Sequence, residues 1–83
     1  MTMKEFWNYP EKIAVHCKTE EEAVKLLDAF DDFGKTWNFG QSYRQARHYE
    51  EDICYTNAGY CCDLDWYLKK GVLILEFEEM ELI

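Results

Sequence analysis

Four cysteines (Cys17, Cys54, Cys61, Cys62) and two histidines (His16, His48) are the side chains best suited to ligate a metal or attack an electrophile, and their spacing favours neither. No C-x-x-C pair occurs, and the vicinal Cys61 and Cys62 would point to opposite faces of a strand, as would His16 and Cys17. No local signature marks a nucleophile, and Gly34 and Gly40 belong to no phosphate loop or dinucleotide fingerprint. Cys17, Cys54 and one of the vicinal pair read as small buried apolar residues. The expectation is a chain that is not an enzyme, with no catalytic residue, no metal and no cofactor. A single-sheet domain of this size seldom encloses a pocket deep enough to raise a carboxylate pKa.

Carboxylates are what the chain holds in excess. Seventeen acidic residues stand against nine basic ones, a net charge of -8, which disfavours a groove for nucleic-acid phosphate and points to cationic partners. Their distribution is uneven: residues 1–49 carry eight acids and seven bases, whereas residues 50–83 carry nine acids and two bases. Glu50, Glu51 and Asp52 form one cluster, Asp63 and Asp65 a second, and Glu76, Glu78, Glu79 and Glu81 a third. Carboxylates two residues apart on a strand lie roughly 6.6 to 7 Å from each other, close to the spacing of phosphates along a nucleic-acid strand. Interleaved aromatics (Tyr55, Tyr60, Trp66, Tyr67, Phe77), with Tyr60 and Trp66 taken as contact residues, would supply desolvated anchors for a protein partner. The plain alternative is a solvated face that keeps a small protein soluble.

The elements that must position these groups follow from periodicity. Residues 12–17 place Ile13, Val15 and Cys17 at period two, predicting a strand whose other face carries Lys12, Ala14 and His16. Thr19 and Glu22 form a T-x-x-E capping box, and Ala23, Leu26, Leu27, Phe30 and Phe33 make the apolar stripe of a helix that stops at Gly34. Residues 35–39 alternate bulk and polarity before Gly40, predicting a short returning strand. Residues 41–52 are polar without strong periodicity and stay open between loop, short helix and irregular edge. A hairpin is predicted from residues 53–56 and 60–64 around Asn57-Ala58-Gly59, with residues 65–68 continuing its second strand. After Lys69-Lys70-Gly71, residues 72–77 have the aliphatic density of a central strand, which the alternating tail either extends or frays from.

The expected class is α+β: one domain, residues 1–83, with a small antiparallel or mixed sheet and one helix on a face, in β-α-β-β-β-β order. Eighty-three residues leave no room for a second core, and fourteen aromatic residues can replace the cross-links that small domains often need. The longest strictly apolar run, Val72 to Leu75, is too short to cross a bilayer, and the N-terminus has no signal-peptide h-region. No membrane association is expected, and a cytoplasmic location with reduced thiols is.

The segment from His16 to Ala23, then Leu26-Leu27, Gly34, Trp37 and Gly40, followed by an Ile-Cys-Tyr strand and a closing aliphatic strand, resembles a pattern in small proteins of phages and prophages of Gram-positive bacteria. That group includes accessory factors and inhibitors of host immunity, among them anti-CRISPR proteins, many of them acidic. The resemblance implies a phage-type origin and carries over no catalytic residue. Joined to the charge, it leads to the expectation of an inhibitor that mimics nucleic acid and binds a basic protein of host defence, most plausibly a CRISPR effector, in the host bacterial cell. The alternative is an interaction module, forming a homodimer or an adaptor for another phage protein. A sponge for anionic nucleotides would have only Arg44, Arg47, Lys69 and Lys70 to draw on.

Overall fold

The computed structural model describes residues 1–82. Its elements are α1 (Met3–Trp7), β1 (Ile13–Cys17), α2 (Glu20–Asp32), β2 (Ile53–Thr56), β3 (Cys61–Asp63), α3 (Leu64–Lys70) and β4 (Leu73–Glu76), closed by a 3-10 turn at Phe77–Glu79. The strands form one mixed sheet in the order β3-β2-β1-β4, with β1 antiparallel to β2 and parallel to β4. The α+β class stands, but three helices replace the expected single one, and a helix separates the third strand from the fourth.

Period two in β1 sorts the core. Ile13, Val15 and Cys17 pack with Ile53, Tyr55 and the stripe Ala23, Leu26, Leu27 and Phe30 of α2, while Ala14 packs with Cys54 and with Tyr67 of α3 on the opposite face. The sheet is thus covered on both sides, which is why β1 and β2 are buried at every position. Aromatic rings fill the larger core in a continuous run: Phe6 stacks on Phe30 at 5.5 Å, Phe30 meets Tyr43 edge-on at 5.2 Å, and Tyr43 meets Trp37 at 4.5 Å. Each such ring removes a large apolar area from water, a substantial gain for so short a chain. All four cysteines are free, and Cys61 faces the larger core while Cys62 faces the smaller, as adjacent strand residues must.

Four local expectations are corrected. Residues 35–39 form no strand: Thr36 makes one bridge to Ser42 and the chain reverses at Trp37–Gly40, because Trp37 drops into the core and its indole N–H donates to the Ala46 carbonyl at 2.8 Å. Residues 65–68 are helical, since Asp63 caps the Trp66 N–H at 2.9 Å and Gly71, in the left-handed region, ends the helix after one buried contact at Tyr67. The tail does not extend β4; it turns through the 3-10 segment and Glu81 bridges to Thr2. In the box at Thr19, the hydroxyl accepts from Glu22 N–H as expected, but the Glu22 carboxylate accepts from Lys18 N–H, one residue before the cap, and Phe33 at the helix end is exposed rather than in the stripe.

Candidate functional site

The register gathers the carboxylates of the second half. Asp63 lies opposite Ile53, Ile53 opposite Cys17, and His16 opposite Glu76, so the ends of β1, β3 and β4 and the start of β2 share one end of the sheet. Glu50, Glu51 and Asp52 precede β2 there, Asp65 follows Asp63 in the first turn of α3, and Glu78 and Glu79 follow Glu76. Of these, Glu76 is half-buried and the others are exposed. Eight of the nine carboxylates singled out from the sequence therefore gather around this pole. The ninth, Glu81, sits instead beside Thr2.

Only Asp63 and Glu76 belong to strands. The expected ladder of strand-borne carboxylates at two-residue spacing is therefore not formed, and the pole is a cluster built from strand ends and turns. Trp66, half-exposed in the first turn of α3, stands beside it, with the Lys70 ammonium 4.8 Å from its ring centroid. Tyr60 precedes β3 and so belongs to the opposite end, where Lys12 lies 4.8 Å from its ring. Tyr55 and Tyr67 are buried core residues and are unavailable as contact anchors.

The feature that the sequence did not announce is His16. It is 5 % exposed on the α3 face of β1, with Nδ1 2.8 Å from a Glu76 carboxylate oxygen and Nε2 3.0 Å from Asp52 Oδ1. Ionised carboxylates only accept hydrogen bonds, so the ring serves both at once when both nitrogens carry hydrogen. Asp52 reaches the ring from a left-handed backbone, φ 58°, the one non-glycine residue with positive φ among those described. Its carbonyl also accepts the Leu64 N–H at 2.9 Å, tying the start of β2 to the start of α3. Among the described residues no three of His, Cys, Asp and Glu are arranged to hold a metal ion.

The two halves of the chain treat their acids differently. Arg44 lies 2.9 Å from Asp31, 3.0 Å from Asp32 and 3.4 Å from Asp28, and Arg47 bonds Asp28 as well. Hydrogen bonding from Arg47 holds the Asp28 carboxyl below the usual carboxylate range, and bonding to Asp32 raises the Arg44 guanidinium. At the acidic pole, Glu78 meets Lys18 at 3.7 Å and Glu50 meets His48 at 3.7 Å, both loose and exposed. Glu51, Asp63, Asp65 and Glu79 form no ion pair among the described residues, and the same is true of Glu81 beside Thr2. Both arginines that a nucleotide sponge would use are thus occupied by α2.

Elsewhere the chemistry is quiet. Burial pushes the thiols of Cys17 and Cys54 up to about 12 and that of Cys61 up to about 11, the opposite of an activated nucleophile. An open apolar cleft of about 450 Å³ lies over Trp37, Phe39, Gly59 and Cys61, with Arg47 and His48 at its rim. No helix among the described residues is long and apolar enough to cross a membrane. Comparison of the chain with protein-family models, curated proteins and solved structures finds no match.

Proposed function

We propose that the chain works without catalysis, as an inhibitor whose acidic pole occupies the cationic surface of a nucleic-acid-binding protein, in the manner of a phage protein that blocks a CRISPR effector. One observation carries the reading. Both arginines of the chain, Arg44 and Arg47, are spent on three aspartates of α2, while Glu51, Asp63, Asp65 and Glu79 at the far end of the sheet are left without a counter-ion among the described residues. Uncompensated charge concentrated at one end of a small body steers a cationic partner and excludes anionic ones. Half-exposed Trp66 at the edge of that field supplies an aromatic contact of the kind that lengthens the life of an encounter.

The mimicry acts through charge density and not through a copied phosphate spacing, because the carboxylates sit on turns and strand ends. Arginines and lysines that normally grip a guide or a duplex backbone would be taken up by the pole. The proposal is tested by reading inhibition of a CRISPR effector's binding to its target duplex at rising salt. Inhibition should weaken steeply as the ionic strength passes from about 50 to 300 mM, over which the Debye length shrinks from about 14 to about 6 Å. Inhibition that does not change with salt, or no inhibition at low salt, contradicts it.

A further inference from the structure

The strand β4 closes the sheet at one edge, and that edge is unguarded. Its outer side pairs with no strand in the order β3-β2-β1-β4, and in a parallel ladder alternate residues turn both N–H and C=O away from the partner. Among the described residues no loop or side-chain hydrogen bond reaches the backbone of Leu73, Ile74 or Leu75. Edge strands are ordinarily blunted by lysine, proline, a bulge or a covering segment. Here the run Val72-Leu73-Ile74-Leu75 contains none of these, and Leu73 and the neighbouring Leu68 are about half-exposed, at 48 % and 60 %.

The charges flanking the strand identify what fits it. Lys69 and Lys70 stand four and three residues before it, in the last turn of α3, and Glu78 and Glu79 two and three residues after it. A second copy laid antiparallel against this edge would bring the lysines of one copy beside the glutamates of the other, at both ends of the seam. A parallel arrangement would set lysine against lysine and glutamate against glutamate. Two-fold symmetry further requires that one residue of the strand face its own counterpart. With Ile74 on the axis, Leu73 faces Leu75, Val72 faces Glu76, and Lys70 approaches Glu78.

We propose that β4 is the interface of a two-fold homodimer, in which two four-stranded sheets join edge to edge into one of eight strands. The axis runs perpendicular to the sheet, so the α2 layers of both copies lie on one side and the α3 layers on the other. The four-residue seam is short, which sets the dimer in the weak, concentration-dependent range. Its acidic poles point in opposite directions, leaving each copy's Glu50, Glu51, Asp63 and Asp65 outside the seam. Glu78 and Glu79 belong to both the seam and the pole, but self-association does not require the function proposed above.

Sedimentation equilibrium over a wide concentration range tests it, using the whole chain and three variants at exposed positions. Wild type should move from monomer to dimer, and L73K, which plants a charge on the apolar edge, should weaken association at least tenfold. K69E/K70E and E78K should each self-associate at least several-fold more weakly than wild type, and an equimolar mixture of the two should regain dimer. Circular dichroism establishes that the variants fold. A wild type that stays monomeric at the highest concentration, association unchanged in L73K, or a mixture that gains nothing over its components each overturns the proposal.

Discussion

Asp52 and Glu76, which lie on opposite sides of β1, are joined through a single imidazole: His16 takes the first at 3.0 Å through Nε2 and the second at 2.8 Å through Nδ1. The clasp binds the entry to β2 and the exit from β4 to the central strand. It also allows two carboxylates to sit close together at the most acidic part of the molecule. The two carboxylates come from 36 and 60 residues away in sequence, and removing the ring would leave them without the group that joins them.

Replacement of His16 by Ala is expected to lower stability by about 2 kcal/mol or more, combining a lost buried ring with two orphaned acceptors. Both carboxylates keep partial access to solvent, with side chains 59 % and 39 % exposed, which tempers the loss relative to a fully buried pair. Adding Asp52→Asn and Glu76→Gln to His16→Ala should recover part of it, because the repulsion is then gone. Urea unfolding of the single and triple variants checks this, and a triple variant weaker than the single one contradicts the clasp.

Gly59 holds a second joint. Its φ is +81°, and a Cβ added there would stand 2.7 Å from the backbone nitrogen of Asn38, whose N–H donates to the Gly59 carbonyl at 2.8 Å. Gly59→Ala therefore meets both left-handed strain, about 1 kcal/mol, and a backbone collision that no side-chain rotation relieves. A fall in the thermal midpoint of several degrees is expected, with Gly40→Ala as the milder comparison, since nothing lies within 4 Å of a Cβ at that site.

Stability should fall toward alkali. The thiols of Cys17 and Cys54 are raised from 9.0 to about 12 and that of Cys61 to about 11 by burial, so above pH 9 the unfolded chain releases protons that the folded chain retains. Their contribution is complete below the unfolded value and is lost as pH climbs toward the folded ones. On the acid side the sign reverses for Asp28, lowered first by its hydrogen bond to Arg47: its contribution is present above the usual carboxylate value and vanishes as pH falls through the depressed one. Denaturation between pH 2 and 11 should show both limbs, and Asp28→Asn should flatten the acid limb alone. At pH 8 a disulfide reagent should reach Cys17 and Cys54 only on unfolding.

Parts of this architecture stand plainly in the residues. Ile13, Val15 and Cys17 at period two, and Thr19 ahead of an apolar stripe, suffice for β1 and α2, because local pattern and tertiary burial agree there. Asp63, with Lys69-Lys70-Gly71 six to eight residues on, is a legible pair of helix ends for α3, obscured by the neighbouring hairpin. Thr2 and Glu5 form the capping box that announces α1, of only five residues. Trp37 misleads in the other direction, since alternation around one buried indole imitates a strand. The clasp at His16 leaves no local trace, as its partners come from the residue before β2 and the last residue of β4. The charge asymmetry about residue 50 was visible, whereas its collection at one end of the sheet depends on register.

The proposed inhibition requires the acidic pole to act as a unit on a cationic nucleic-acid-binding surface. The most direct measurement is competition between this protein and a target duplex for a CRISPR effector, comparing wild type with E50K/E51K/D65K, three exposed positions outside both the His16 clasp and the β4 edge. The wild type should displace the duplex at low salt, and the variant, folded by circular dichroism, should lose at least tenfold in potency. Equal potency of the two proteins would contradict the account.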